Sequence, residues 1–381
     1  MSGSAAVRPK VSGLAIEVTA HCQQKCGYCY NAWREDDGAR LARDRRSTPE
    51  QLLARVDKVL GALDVGHVTV TGGEPFARRD VFDLLDLLEA RGVGVRIISN
   101  GGLVDDDVAS RLARHRVSFV QVTLQGPSAA LHEEHVGQGH FEPTLRGIRA
   151  LVARGVPVVG CIVVTRKNAS QVGAILEVFR SLGVREVALS RFSPAGYAAQ
   201  HAADLLPSRD DLLGALRLAV PFAKAEGATE GSAMRVTCTM PVPPCAIETE
   251  QLAPLSFGTC AIGTSMQEFV LGSDGRMRLC TLHEGGLGGA GGRDVLDDDV
   301  DPAALVTGAE VTSYRRDVPD FCRGCTHATT CAGGCGAAAR SLLGSRALPD
   351  PFVWQHVDDT FAARLEADRQ AAPHRRMEVV K

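Results

Sequence analysis

The sequence has no apolar run long enough to cross a bilayer. Its first ten residues also lack the hydrophobic stretch of an export signal. The first absence excludes a membrane-spanning protein, and the second argues against secretion. We therefore expect a cytoplasmic protein with no membrane partner.

The chain also lacks a strong charge of either sign, since its formal net charge is −3. Proteins that bind nucleic acid usually carry a basic domain or a basic stripe. The arginines at positions 43, 45 and 46 stand among acidic residues at 35–37 and 44, which is typical of a solvated charged surface. We therefore expect no nucleic-acid partner.

What the chain does contain is a globular composition and many cysteines. Apolar residues make up 45% of it and charged residues 23%, which excludes a disordered chain. Its 381 residues exceed what one hydrophobic core usually serves, so two folded units are expected. Twelve cysteines without an export signal favour metal ligation over disulfides, because the cytosol keeps thiols reduced.

Short β-branched segments alternate with amphipathic segments from Val11 to about Phe192, the pattern of βαβ units on a parallel sheet. The six expected strands are Gly13–Val18, His67–Thr71, Val93–Ile98, Val117–Thr123, Val158–Val164 and Glu186–Ser190. Thr48, Pro49 and Gln51 predict the start of the first helix through a capping box. Later helices are expected near Asp80–Arg91, Asp105–His115, Glu142–Arg154, Ala169–Leu182, Ser208–Ala225 and Val353–Gln370.

Three cysteines lie within eight residues directly after the first expected strand, at Cys22, Cys26 and Cys29. A structural zinc site or a closed iron–sulfur site takes four protein ligands, so three thiolates leave one metal position free. A zinc knuckle or a chance grouping stays open on the spacing alone. The spacing closely resembles that of the radical S-adenosylmethionine (SAM) superfamily.

This resemblance implies a cofactor set and a reaction. In that family the three thiolates hold a [4Fe-4S] cluster whose unique iron binds the amino and carboxylate groups of SAM. An electron delivered through the cluster breaks the sulfonium bond and yields a 5′-deoxyadenosyl radical. The resemblance also implies an external electron donor of the flavodoxin or ferredoxin type.

Loops after the other strands extend the resemblance. Carboxyl ends of parallel strands meet on one face of a (β/α) barrel, where active sites form. The run Gly72, Gly73, Glu74 and Pro75 matches the family's GGEP motif, which binds the methionine amino group. The other cofactor-binding positions that the resemblance implies are Tyr28, Ser99, Asn100, Thr123 and Gln125. Each loop taken singly is explained equally well as a βα turn.

A second set of cysteines fills the latter part of the chain. It runs from Cys260 through Gly275 to Cys280, and then through a C-x2-C-x5-C-x3-C series. This order resembles the SPASM extension of peptide and cofactor maturases, which binds two auxiliary [4Fe-4S] clusters. The resemblance implies one cluster on Cys260, Cys280 and Cys335 and another on Cys322, Cys325 and Cys331.

The chain departs from that pattern because no cysteine follows Cys335. The family normally supplies a seventh cysteine there, so we expect one or two auxiliary clusters. The fourth ligand of the second cluster stays open among a substrate, no ligand at all, and His356, Asp358 or Asp359. Cys238 and Cys245 are candidates to complete the first auxiliary cluster, although each is more often a small buried thiol. A zinc ribbon suits the spacing from Cys322 to Cys335 equally well.

The expected fold is α/β: a partial (β/α)6 TIM-type barrel, then a small cysteine-rich SPASM-like domain and a C-terminal helix. The expected boundaries are a tail at 1–10, the barrel at 11–205, a helical linker at 206–255, the auxiliary iron–sulfur domain at 256–345, and the C-terminal helix and tail at 346–381.

The expected function is radical modification of a ribosomally made peptide by crosslinking, oxidation or decarboxylation. Two alternatives stay open: radical modification of a small molecule such as a tetrapyrrole or cofactor precursor, and a non-catalytic iron–sulfur or zinc protein. Only about ten residues precede the first strand, too few for a fused leader-recognition domain. A separate recognition protein is therefore expected beside the peptide.

Overall fold

Parallel β-strands form the framework that positions every loop of interest. The computed structural model describes residues 7–31, 47–224, 233–289, 291–314 and 318–375. The first six residues and the mixed-charge segment at 35–46 lie outside these ranges. The strands are β1 Lys10–Glu17, β2 Asp64–Thr71, β3 Gly94–Ser99, β4 Val117–Thr123, β5 Val158–Val164, β6 Glu186–Arg191, β7 Arg235–Cys238, β8 Ser256–Phe257, β9 Glu268–Leu271 and β10 Met277–Arg278.

Six consecutive parallel strands confirm the predicted partial barrel. The sheet order is β10-β9-β1-β2-β3-β4-β5-β6-β7-β8, so β1 to β6 follow chain order. Leu14 lies opposite Val68, and Val70 lies opposite Ile97, in parallel register. The side chains of Leu14, Val68 and Ile97 are fully buried because helices cover the sheet, which explains the near-continuous apolar runs.

Helices connect the strands and confirm most of the predicted segments. They are α1 Pro49–Ala62, α2 Val81–Ala90, α3 Asp106–Leu112, α4 Ala129–Val136, α5 Phe141–Ala153, α6 Val172–Ser181, α7 Ala202–Leu205, α8 Arg209–Lys224, α9 Pro302–Thr307, α10 Ala309–Thr312, α11 Ala328–Cys331, α12 Gly336–Leu343, α13 Pro351–Trp354 and α14 Asp359–Arg375. Thr48 Oγ1 accepts from Gln51 N, and Gln51 Oε1 accepts from Thr48 N, so the capping box is confirmed. No helix in the described part of the chain is both long and apolar enough to cross a membrane.

Two helical predictions need correction. The segment expected as one C-terminal helix is divided into α13 and α14, because the carboxylate of Asp358 accepts a hydrogen bond from Phe361 N (2.7 Å) and starts a new helix. The segment from Ala169 begins as a 3-10 turn, Ala169–Gln171, before α6. Helix α4 had no counterpart among the predicted helices.

The cysteine-rich part of the chain extends the barrel sheet. Strand β9 pairs in parallel with β1, and β10 pairs antiparallel with β9. At the other edge, β7 and β8 continue beyond β6. A buried ion pair joins Glu17 at the end of β1 to Arg278 in β10. One hydrophobic core runs from the barrel into the cysteine-rich part. The domain boundaries expected from the sequence therefore stay a prediction.

Candidate functional site

The loop that carries Cys22, Cys26 and Cys29 follows the carboxyl end of β1 and is held by α4. Lys25 N donates to the carbonyl oxygen of Val136 (2.9 Å), and Gly27 N donates to that of His135 (3.1 Å). Both acceptors belong to the last turn of α4. The end of this helix thus fixes the backbone between Cys22 and Cys29.

A buried hydrogen-bond network in turn holds the end of α4. His135 Nε2 lies 2.9 Å from Thr165 Oγ1, and His135 Nδ1 lies 2.8 Å from the carbonyl oxygen of Leu131. Asn168 Oδ1 accepts from Thr165 N (2.8 Å), and Asn168 Nδ2 donates to the carbonyl oxygen of Gln125 (3.2 Å). The network therefore links the loops after β4 and β5 to the cysteine loop. Sequence reasoning missed it, because isolated polar residues carry no spacing signal.

The glycine-rich loop after β2 packs directly against the start of the cysteine loop. Gly73 N donates to Thr19 O (2.7 Å), and Glu74 N donates to His21 O (2.8 Å). A Cβ atom at Gly73 would stand 2.0 Å from His21 O, so only glycine fits there. Gly72 has a φ of +126°, which an L side chain rarely adopts. Pro75 then opens a 3-10 turn, Pro75–Ala77.

Glu74 connects this loop to the loop after β3. Its carboxylate is fully buried and accepts from Ser99 Oγ (2.8 Å), Asn100 N (2.8 Å) and Phe76 N (3.2 Å). Burial raises the pKa of Glu74 to about 7, although these three hydrogen bonds act in the opposite direction. Glu74 is thus a buried carboxyl that titrates near neutral pH beside the candidate cofactor site.

Asn100 contacts the first cysteine itself. Its Nδ2 lies 3.7 Å from Cys22 Sγ, within reach of a weak hydrogen bond. The same amide pairs with Gln23, donating to Gln23 Oε1 (3.2 Å) and accepting from Gln23 Nε2 (2.9 Å). Hydrogen bonds to cluster thiolates tune the reduction potential of iron–sulfur centres. The side chain of Asn100 therefore adjoins the Cys22 thiol, and its contact with SAM stays a prediction.

The remaining predicted cofactor contacts are Tyr28, on the loop after β1, Thr123, at the end of β4, and Gln125, just after β4. Tyr28 is close to Cys26, and burial together with that thiol raises the pKa of Tyr28. The Thr123 hydroxyl hydrogen-bonds the Cys161 thiol inside the sheet. Gln125 is fully buried, and its Oε1 accepts from Val163 N (3.0 Å), whereas its Nε2 has no hydrogen-bond partner among the described residues. A buried amide donor without a partner is unfavourable unless a ligand or water satisfies it. Which of these residues contact SAM stays a prediction.

The cysteines of the second half fall into two spatial groups. The thiols of Cys260, Cys280 and Cys335 lie close enough for their charges to interact, and burial raises the pKa of Cys280 to about 12. The hydroxyl of Tyr314 adjoins these three thiols, and it has no hydrogen-bond partner in the part of the chain that the structure describes. Sequence reasoning missed Tyr314, because no motif includes it.

The second group contains Cys322, Cys325 and Cys331 together with Cys245. The sequence analysis had considered Cys245 and Cys238 for the first auxiliary cluster. Cys245 lies instead beside the second group, whereas Cys238 is buried in β7. Across the described residues, no three His, Cys, Asp or Glu side chains converge as the ligands of a single metal ion would.

Comparisons with known proteins agree with this architecture. Residues 16–179 match the family model described as the radical SAM superfamily. The mycofactocin maturase MftC of Mycobacterium tuberculosis is 31% identical over 201 residues, which cover 52% of this chain and 49% of MftC. The chain spans about half the length of the curated relatives that it matches.

Two solved structures share the fold over most of the chain. SuiB of Streptococcus suis, bound to its precursor peptide SuiA, has a TM-score of 0.67 at 18% identity, covering 91% of this chain and 76% of SuiB. The enzyme anSMEcpe, with bound AdoMet and the Cp18Cys peptide, has a TM-score of 0.62 at 19% identity, covering 96% of this chain and 99% of anSMEcpe.

The family match and the three-thiolate loop identify residues 16–179 as a radical SAM region. The chain is related to the maturase MftC over about half of its length, and SuiB and anSMEcpe share its fold. The cofactors of the radical SAM superfamily are a [4Fe-4S] cluster and SAM. The three thiols of Cys22, Cys26 and Cys29 lie on one held loop and leave one metal position free, which fits those cofactors.

Proposed function

We propose that this protein reductively cleaves SAM at the Cys22, Cys26 and Cys29 site and uses the resulting radical to modify a ribosomally made peptide. The observation that carries the proposal is the cysteine loop, which is hydrogen-bonded on one side to the glycine-rich loop and on the other to α4. Such preorganisation holds three thiolates in place while one metal position stays available for SAM.

The cluster and SAM, when bound, would supply a 5′-deoxyadenosyl radical that removes a hydrogen atom from the substrate. The protein's own residues hold and orient the loops around the candidate cofactor site. Thr19 O and His21 O fix the glycine-rich loop against the cysteine loop, and Glu74 sets the distance between the loops after β2 and β3. The Asn100 amide adjoins the thiolate of Cys22.

A peptide substrate is supported by the relatives rather than by a pocket of this chain. MftC is named a maturase, SuiB was solved with its precursor peptide SuiA, and anSMEcpe was solved with a peptide. We extend these names to this chain as a proposal, with crosslinking, oxidation or decarboxylation as the outcome. A separate leader-recognition protein and an electron donor of the flavodoxin or ferredoxin type belong to the same proposal.

The first test uses SAM alone. Reduced, anaerobically purified protein is incubated with SAM, and 5′-deoxyadenosine and methionine are measured by liquid chromatography. The wild type and the control variant Glu177→Gln should both form these products, because Glu177 lies on the exposed face of α6. The variant Cys22→Ala/Cys26→Ala/Cys29→Ala should form none. A non-catalytic metal protein would give no product with any variant.

The second test concerns the substrate. Short peptides encoded beside the gene are incubated with the active protein, and their masses are compared with those from the triple variant. A mass change that requires the three cysteines supports peptide modification. Turnover of SAM together with a changed small molecule, and with every peptide unchanged, would overturn the peptide proposal and favour the small-molecule alternative.

A further inference from the structure

A pocket on the cysteine-rich side of the protein is lined by four thiols from two distant segments of the chain. Cys322, Cys325 and Cys331 come from the later segment, and Cys245 follows β7. The Cys245 thiol is close enough to the other three for their charges to interact. Prolines 243, 244 and 349 make much of the remaining wall apolar.

The segment before Cys245 is fixed in place rather than free to approach the pocket by chance. Pro241 O accepts from Nε (3.4 Å) and Nη2 (3.3 Å) of Arg191, whose side chain is buried at the end of β6. Pro243 O accepts from the amides of Ala246 (2.9 Å) and Ile247 (3.2 Å), so the backbone turns around Cys245. Two successive prolines restrict this turn further.

The opposite wall is held by the same arginine. Arg191 forms a buried ion pair with Asp350, and Asp350 N donates to Gly333 O (2.8 Å) just after Cys331. The Cys245 segment and the Cys331 segment are therefore attached to one buried group. The fold therefore fixes the position of these two segments relative to each other.

The downstream residues that the sequence offered as fourth ligands lie elsewhere. The ring of His356 packs against Phe352, and the charged groups that act on it are Arg209 and Asp210. The Asp358 carboxylate caps α14, and neither it nor Asp359 lines the pocket. His327 does line the pocket, and among the described lining residues it is the one side chain besides the four thiols that could compete as a ligand.

We propose that Cys245 is the fourth thiolate ligand of an auxiliary [4Fe-4S] cluster whose other ligands are Cys322, Cys325 and Cys331. An upstream cysteine thereby replaces the downstream cysteine that the SPASM pattern normally supplies and that this sequence lacks. Each thiolate of such a cluster binds a different iron atom, so four sulfurs need to surround a shared space rather than meet at one point.

The proposal is tested first by thiol alkylation of the anaerobic holoenzyme, without any substitution. Cys245 is exposed, so as a free thiol it should react readily with iodoacetamide. As a ligand it should stay unmodified together with Cys322, Cys325 and Cys331, and all four should react after a chelator removes the iron. Modification of Cys245 in holoenzyme that still protects the other three would overturn the proposal.

Two variants then assign the ligand. In Cys245→Ala, iron and sulfide should fall by up to about four atoms of each per chain, one cluster's content. The control Glu177→Gln should keep the wild-type content, since Glu177 lies on the exposed face of α6. His327→Ala should also keep it. Loss of iron in His327→Ala with none in Cys245→Ala would assign the ligand to the histidine instead.

Mössbauer spectra identify the bound group. A decrease of the [4Fe-4S] signal in Cys245→Ala supports the proposal, whereas stoichiometric zinc in wild-type protein at this site would overturn it. None of these measurements uses SAM. Failure of the SAM-cleavage proposal would therefore leave this assignment intact, and the reverse also holds.

Discussion

Arg191 Nη2 and Asp350 Oδ2 lie 2.5 Å apart, with side chains that are 1% and 0% exposed. The same Asp350 oxygen accepts from Cys335 N (2.8 Å), and Asp350 Oδ1 accepts from Phe352 N (2.8 Å). This ion pair thus joins the end of β6 to the backbone of a candidate cluster ligand. Both oxygens of the buried Asp350 carboxylate thus accept hydrogen bonds, which favours one arrangement of these segments.

Removing the charge of Asp350 should destabilise the protein strongly. Asp350→Asn leaves the guanidinium of Arg191 buried without a counter-ion, which typically costs about 3–5 kcal/mol in the free energy of unfolding. Anaerobic urea titration of the holoenzyme measures the change. As the control, Glu177→Gln breaks the surface pair with Arg180 and should cost less than about 1 kcal/mol. Equal losses in the two variants would contradict this role for the ion pair.

A methyl group at Gly73 should detach the cysteine loop from its support. The Cβ of Gly73→Ala would stand 2.0 Å from His21 O and 2.5 Å from the His21 carbonyl carbon, and these backbone atoms move only with the loop. We expect faster loss of the first cluster, followed as the decay of its visible absorption in the presence of a chelator.

The matched control is Gly61→Ala in α1, where the added Cβ meets no atom within 4 Å. Alanine there should stabilise the helix by about 0.5–1 kcal/mol and leave the decay rate unchanged. If the two variants lose iron at the same rate, the close approach at Gly73 has no part in holding the loop.

The barrel could be predicted from the sequence because its strands are buried on both faces. Runs such as Val158–Val164 are apolar throughout, and their short length and β-branched content mark them as strands without tertiary information. Helix α4 escaped prediction for the opposite reason. Its buried residues include His132 and His135, so it shows little apolar periodicity, and its importance arises from carbonyl groups that accept from Lys25 and Gly27.

The candidate site likewise has one part that the sequence predicts and one part that it does not. The sequence spacing grouped Cys22, Cys26 and Cys29, because they are neighbours on one loop. It could not bring Cys245 to Cys322, because that proximity depends on the Arg191 side chain joining Pro241 to Asp350. Tertiary contacts of this kind leave no periodic mark in a sequence.

Glu74 should make the stability of the SAM-free protein depend on pH. Burial raises its pKa to about 7 in the folded state, against an ordinary value of 4.5. Between these values the folded chain keeps a proton that the unfolded chain has released. The stabilising contribution of Glu74 is therefore complete below pH 4.5 and is lost as the pH rises through 7.

The variant Glu74→Gln isolates this contribution, because its amide cannot ionise. Between pH 5.5 and 7 the wild type should lose about 2 kcal/mol in the free energy of unfolding relative to Glu74→Gln. Anaerobic denaturation at several pH values measures the difference, and Glu177→Gln, on an exposed helix face, should show none. A pH-independent gap between Glu74→Gln and wild type would mean that Glu74 is ionised throughout this range. The hydrogen bonds from Ser99 Oγ and from the amides of Asn100 and Phe76 would then lower the pKa of Glu74 by more than burial raises it.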